Sequence, residues 1–290
     1  MYNNFLDLDT ERTGLYPVKV WPVPYQATVS FGDGTKNGPE AILKASYQIE
    51  TYDPELGADI SELCSFETLP FQRPNVAGPG RLYEEMREFL KNYSPGRDFF
   101  LTLGGEHSVS FPLVEFYAVK YPDLVIIQID AHADLRQNYE GSPFSHACVM
   151  ARINSLGLKT VQMGLRSFSR IESDFIRNNP RDILAMHPWD LPSPQDAARK
   201  VKEFIGSSPV YITFDADGLD PSIMPGTGTP EPGGLDFAWV QGFWKNFWPG
   251  PELVGMDFCE LSPQPGSQVS ESVAVKCILK ILTTYFSRLT

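Results

Sequence analysis

Residues 124–134 read Leu-Val-Ile-Ile-Gln-Ile-Asp-Ala-His-Ala-Asp, a β-branched apolar run of strand length that stops abruptly at Asp130, His132 and Asp134. Side chains alternate along a strand, so a two-residue spacing puts all three on one side. Past the strand end the backbone turns, and the three groups can still converge on one point. Two carboxylates and an imidazole at the end of a buried strand are the donors of a metal site. Taken alone, the same residues also read as a solvated loop. The choice rests on whether the rest of the chain supplies partners.

Similar short apolar runs recur at residues 99–103, 160–165, 183–186, 210–214 and 253–258. Helical apolar spacing lies between them, at 81–93, 109–121, 142–156, 170–178, 194–205 and 236–248, with a closing helix at 270–288. Residues 16–30 contain a further strand, and the glycine-punctuated loop 31–39 runs into a helix that Pro39 starts. Residues 53–80 read as irregular and proline-bearing. Repeated βα units with apolar strands predict an α/β protein: a three-layer αβα arrangement with a central, mostly parallel sheet, in a single domain over residues 1–290. Ligands of such sheets bind at the carboxyl ends of the strands. His107 follows one predicted strand, Asp130, His132 and Asp134 the next, Asp215 and Asp217 another, and Glu260 a fourth.

The totals exclude several classes of partner. A formal net charge of -12 over 290 residues argues against nucleic acid, whose phosphates need a basic patch, and suits a cationic substrate. Cys64, Cys148, Cys259 and Cys277 are scattered with no Cys-x-x-Cys pair, so a finger-type zinc and a disulfide scaffold are not expected. Residues 1–13 lack the basic-then-apolar pattern of a signal peptide, and no apolar stretch reaches bilayer length. A cytosolic protein without a membrane partner is expected.

His107, Asp130, His132, Asp134, Asp215 and Asp217 are too many ligands for one tetrahedral zinc and suit two divalent ions with bridging carboxylates. Imidazole and carboxylate without thiolate favour Mn²⁺, with Zn²⁺, Co²⁺ and Fe²⁺ open. Two metals sharing a water make a hydroxide available at neutral pH, so hydrolysis follows.

Gly104-Gly105-Glu106-His107-Ser108, Asp130-Ala131-His132-Ala133-Asp134 and Phe214-Asp215-Ala216-Asp217-Gly218 resemble the metal motifs of the ureohydrolases, the arginase and agmatinase family of binuclear manganese enzymes. Gly38-Pro39 and the loop 225–230 resemble two further family motifs, and the likeness covers most of the chain. It implies an arginase-like fold and a trimer or hexamer. It also implies two Mn²⁺ per chain: His107 and Asp134 on one, His132 and Asp217 on the other, Asp130 and Asp215 bridging. Glu260 matches the glutamate that pairs with the substrate guanidinium, a planar cation matched to two carboxylate oxygens. His146 resembles the proton-shuttling histidine at the site mouth, and Asp134 would relay a proton to the leaving amine. Catalytic roles therefore fall on Asp134, His146 and Glu260.

Four departures qualify the likeness. Glu106 stands where the family has Asp, which bears on ligand orientation, and Ala147 replaces a glycine. In 164–172, Ser167 and Ser169 stand where arginases carry aspartates, while Glu172 matches an acid. The loop 136–143, with Tyr139 and Glu140, replaces the arginase grip on an α-carboxylate. Glu140, Glu172, His146 and Glu260 are thus the expected substrate contacts, for a cationic or apolar tail. The expected reaction releases urea from agmatine, giving putrescine. N1-aminopropylagmatine, guanidinobutyrate and formiminoglutamate are the alternatives within the family. Outside it stand a single-zinc deacetylase-type enzyme and a non-catalytic relative.

Overall fold

The computed structural model describes residues 4–8, 14–73 and 75–290. Much of the segment read for a targeting signal, residues 1–3 and 9–13, lies outside them. The chain runs through β1 (Tyr16–Val23), α1 (Gly38–Ser46), a small hairpin of β2 (Tyr52–Asp53) and β3 (Ala58–Asp59), α2 (Ile60–Leu63), β4 (Cys64–Thr68), α3 (Pro79–Leu90) and β5 (Phe99–Gly104). It continues with α4 (Ser110–Ala118), β6 (Val125–Ile129), α5 (Val149–Asn154), β7 (Lys159–Met163), α6 (Arg170–Asn178) and β8 (Ile183–Met186). It closes with α7 (Pro194–Ile205), β9 (Val210–Asp215), α8 (Phe237–Phe247), β10 (Leu253–Cys259) and α9 (Val269–Phe286).

Among the described residues, eight strands form one sheet in the order β4-β1-β5-β10-β9-β6-β7-β8, and every pairing in it is parallel. The central strands β6, β9 and β10 are buried at every position, whereas the edge strands β4 and β8 are buried at only some. Alternation therefore divides their apolar side chains between two cores. Val125, Ile127, Val210 and Ile212 face α1, α7, α8 and α9, while Ile126 and Tyr211 face α3, α4 and α5. The three-layer αβα expectation holds.

Two local readings are corrected. Residues 53–80 are not irregular throughout, since Cys64–Thr68 is edge strand β4. Only Cys64 and Phe66 face the core, and Glu67 is exposed with a 2.8 Å ion pair to Lys19, so five residues carry too short a pattern to stand out. Nor does Ser142-Pro143 start a helix. Tyr139 and Ser142 exchange backbone hydrogen bonds of 3.1 and 3.0 Å in a turn, and α5 begins only at Val149 after a 3-10 turn at His146–Cys148.

Register lines up a buried polar row beneath the carboxyl edge. Gln162 pairs with Gln128, Gln128 with Thr213, Thr213 with Asp257, and Asp257 with Thr102, all fully buried. Asp130 and Asp215 each lie two residues beyond a member of that row. Because β9 and β10 insert between β5 and β6, the loops leaving these four strands meet over the middle of the sheet.

Candidate metal centre and active site

His107 opens a 3-10 turn just after β5, Asp130, His132 and Asp134 lie in the turn after β6, Asp215 ends β9, and Asp217 sits in the 3-10 turn Ala216–Gly218. All six meet at one edge. Nδ1 of His107 is buried and makes no hydrogen bond, yet the Oδ2 atoms of Asp130, Asp134 and Asp215 lie 3.1, 3.1 and 3.4 Å from it. Nδ1 of His132 lies 3.0 Å from Asp217 Oδ2 and 3.6 Å from Asp130 Oδ1. The donor atoms form two groups, His107 with Asp130 and Asp215, and His132 with Asp130 and Asp217. Asp130 belongs to both. A buried nitrogen lone pair facing three carboxylate oxygens, beside a second such cluster sharing one carboxylate, fits a pair of divalent cations.

Electrostatics agrees with that fit. Burial, then the charges of Asp217 and Asp130, push Asp215 well above the ordinary carboxylate range. Burial, then the charge of Asp130, raises Asp134 to about 7. Burial opposes charge on the imidazoles, but the carboxylates outweigh it, raising His107 well up and His132 to about 12. The acids outnumber the imidazoles, and such a cluster concentrates cations. Asp134 and Glu260 also hold φ angles of 51° and 60°, left-handed for residues with a Cβ, which costs ~1–2 kcal/mol each.

Glu260 lies just past β10, 8% exposed, with Oε1 accepting the His107 amide at 2.7 Å. Burial, then the charge of Glu106, pushes its carboxyl well up. It lines a cavity of about 390 Å³ with His107, His132, Asp134, Asp215 and Asp217. His146 lies on the outer wall with Ala147, Ser167, Ser169, Tyr139 and Phe31, and burial lowers its pKa. Glu172 also lines the cavity, but its carboxylate is tied to the backbone. Oε2 accepts the Ser169 amide and hydroxyl at 2.7 Å each, closing a capping box on α6, and Oε1 accepts the Leu135 amide at 3.1 Å. Glu140 does not join the others. It is exposed at the tip of the 139–142 turn and lines no part of the cavity, where Arg136 stands instead, stacked 5.0 Å from the Tyr139 ring.

Several residues that hold the donors were not singled out from the sequence. Gln128 Nε2 donates to Asp130 Oδ2 at 2.6 Å, and the Thr229 hydroxyl to Asp217 Oδ2 at 2.8 Å. Nε2 of His107 meets Thr213, whose hydroxyl reaches Asp257 at 2.8 Å. Arg166 draws the turn after β9 to the 231–232 loop, donating to the carbonyls of Asp217 and Glu231 at 2.6 Å each. For Gln128, Thr213 and Asp257 the available signal was a polar residue near the end of an otherwise apolar strand, whereas Thr229 and Arg166 lie in the loops 225–230 and 164–172.

A family model described as the Arginase family matches residues 16–283. The N(1)-aminopropylagmatine ureohydrolase of Synechocystis sp. is 35% identical over 273 residues, covering 91% of this chain and 88% of its own. The agmatinase of Bacillus subtilis is 34% identical over 218 residues, covering 74% of this chain and 73% of its own. Among solved structures, the agmatine ureohydrolase of Thermoplasma volcanium superposes with a TM-score of 0.81 at 27% identity, over 96% of this chain and 91% of that one. Proclavaminate amidino hydrolase from Streptomyces clavuligerus reaches 0.86 over 98% and 97% at 24% identity, a likeness of fold alone. A match over nearly the whole chain sets aside the single-zinc deacetylase alternative. The chain belongs to the arginase family of ureohydrolases.

Proposed function

We propose that the protein hydrolyses the guanidino group of a polyamine-type substrate, N1-aminopropylagmatine first and agmatine second, to urea and an amine. The observation that carries the reading is Asp130, shared by two donor groups whose other members, His107, Asp215, His132 and Asp217, line one cavity with Glu260. His107 and Asp134 would hold one Mn²⁺, His132 and Asp217 the other, with Asp130 and Asp215 between them. Bound there, the ions supply the charge that makes water a nucleophile at neutral pH and stabilises the transition state. Glu260 pairs with the guanidinium and sets its carbon over the donor groups. Asp134 passes a proton to the departing amine, and His146 exchanges protons between cavity and solvent.

This order of substrates reverses the expectation from the sequence, which put agmatine first, and draws on two supports. The Synechocystis relative that covers 91% of this chain, and a Thermus thermophilus relative that covers 85%, are both named N(1)-aminopropylagmatine ureohydrolase. Besides the candidate metal ligands, the cavity is lined by Glu172 and Glu260 against one fixed cation, Arg136, which suits a cationic substrate. Glu140 no longer contributes to that argument. Free cysteines at all four positions support a reducing, cytosolic setting.

The deciding experiment is a urea-release screen of the Mn²⁺-loaded protein over N1-aminopropylagmatine, agmatine, guanidinobutyrate, arginine and formiminoglutamate. The highest kcat/KM is expected for N1-aminopropylagmatine. A preference for arginine, or urea release that survives both His132→Ala and chelation, would overturn the proposal.

A further inference from the structure

His146 is held by hydroxyls at both ring nitrogens. Thr28 Oγ1 lies 2.9 Å from Nδ1, and Ser30 Oγ lies 3.0 Å from Nε2. Both hydroxyls come from the loop that follows β1. Ser145 Oγ also approaches Nδ1, at the longer distance of 3.3 Å.

The direction of the Thr28 bond follows from counting hydrogens. A hydroxyl has one hydrogen and two lone pairs. Thr28 Oγ1 lies 2.9 Å from Glu106 Oε1, and that carboxylate is an acceptor throughout. Its Oε2 takes the Ala27 and Thr28 amides at 2.7 and 2.8 Å, and its Oε1 takes the Ser108 hydroxyl at 2.6 Å. Thr28 therefore donates its hydrogen to Glu106. Its two lone pairs are left for the His146 backbone amide at 3.3 Å and for Nδ1. Nδ1 must then carry a hydrogen, because a bare nitrogen would set lone pair against lone pair at 2.9 Å. Glu106 is fully buried and Thr28 only 9% exposed, so solvent does not compete for these bonds.

We propose that Glu106 and Thr28 are positioning residues that lock His146 as its Nδ1–H tautomer, presenting the Nε2 lone pair to Ser30 and the cavity. A proton taken up at Nε2 leaves from Nε2, because the Nδ1 hydrogen stays bonded to Thr28. Ser30 is exposed, and its hydroxyl lies 3.2 Å from that of Tyr139, so the working nitrogen faces solvent through hydroxyls. The inference gives Glu106, the departure from the family aspartate, a task one carbon longer in reach. It rests on His146 being the proton shuttle of the proposed reaction.

The test is a long-range ¹H–¹⁵N correlation spectrum of the full chain labelled at its four histidines, with His146 assigned by His146→Gln. At about pH 8, where the ring is neutral, the proposal expects a protonated Nδ1 and a bare Nε2. Glu106→Gln gives an inverted readout. The two backbone amides hold the Gln oxygen, its NH₂ then donates to Thr28, and the freed Thr28 hydrogen turns onto Nδ1, leaving Nε2–H. Thr28→Val is expected to lose the tautomer preference and lower kcat for urea release about 10²-fold at similar KM, with Thr28→Ser restoring both. A wild-type ring protonated at Nε2, or a Glu106→Gln ring that keeps Nδ1–H, overturns the proposal. A correct tautomer pattern with no urea from any guanidino substrate sinks the functional reading and leaves the lock standing.

Discussion

Nε2 of His107 lies 2.7 Å from the hydroxyl oxygen of Thr213, although the two residues are 106 positions apart. Thr213 sits opposite Asp257 across β9 and β10 and donates to its carboxylate at 2.8 Å, with Ser110 Oγ 3.1 Å away. With that hydrogen used, Thr213 accepts from Nε2–H, and the ring turns Nδ1 toward the carboxylates of Asp130, Asp134 and Asp215. Such partners set both the tautomer and the aim of a ligating histidine.

Thr213→Val keeps the side-chain shape and removes the hydroxyl. Metal affinity is expected to fall about 10–100-fold, with a stability cost of about 1–3 kcal/mol for the polar groups left unpaired. Calorimetric Mn²⁺ titration checks the first and urea denaturation the second. Wild-type affinity in the variant would remove Thr213 from the account.

Protons and metal ions compete for the same oxygens. Burial and the charge of Asp130 raise Asp134 to about 7, so Mn²⁺ binding must displace a proton as the pH falls below that value. At a free concentration one hundred times its Kd, each ion is expected to stabilise the fold by about 2.7 kcal/mol. At fixed Mn²⁺ the gain in Tm should be smaller at about pH 5.5 than at about pH 8. Melting curves with Mn²⁺ and with chelator at both values test this, and equal gains would contradict it.

Glu260→Gln removes the charge offered to the guanidinium while leaving an oxygen for the His107 amide. Charge-assisted hydrogen bonds contribute about 1.5–3 kcal/mol, so kcat/KM should fall roughly 10–100-fold. Steady-state urea release measures it. Unaltered kinetics would mean that another group holds the guanidinium.

Asp220 shapes the loop that brings Thr229 to Asp217. Its carboxylate accepts the amides of Ser222, Gly233 and Gly234 at 3.0, 2.8 and 3.1 Å, and the bonds from Ser222 lead in lowering its pKa from 3.8 to about 2. A lowered folded value means the stabilisation is present above the unfolded pKa near 4 and is lost as pH falls toward 2. Asp220→Asn is therefore expected to cost about 1 kcal/mol at pH 7, discounted for the solvent around this half-buried group. The gap from wild type should close between about pH 4 and pH 2. Chemical denaturation across that range decides it, and a gap independent of pH would assign the effect to shape alone.

The parallel sheet and its rich edge were legible in the chain because burial on both faces demands continuous apolar strands, and βα alternation demands parallel crossovers. Edge strand β4 was not, since one exposed face leaves five residues with a pattern a loop can share. The six candidate ligands were legible because acids and histidines recur at the ends of several apolar strands, in motifs that resemble those of a known family.

Residue order alone determined the layers of the fold, the carboxyl edge as the place of chemistry, and the donor types gathered on it. Tertiary structure decided what those donors do together. Strand order set Asp130 between two donor groups, and register put Thr213 behind His107. A turn at Tyr139–Ser142 carried Glu140 out of the cavity and brought Arg136 to its wall. Long-range hydrogen bonds joined Glu106, Thr28 and His146. Apart from that local turn, each of these depends on the relative placement of segments far apart in the chain, which side-chain patterning within a segment does not encode.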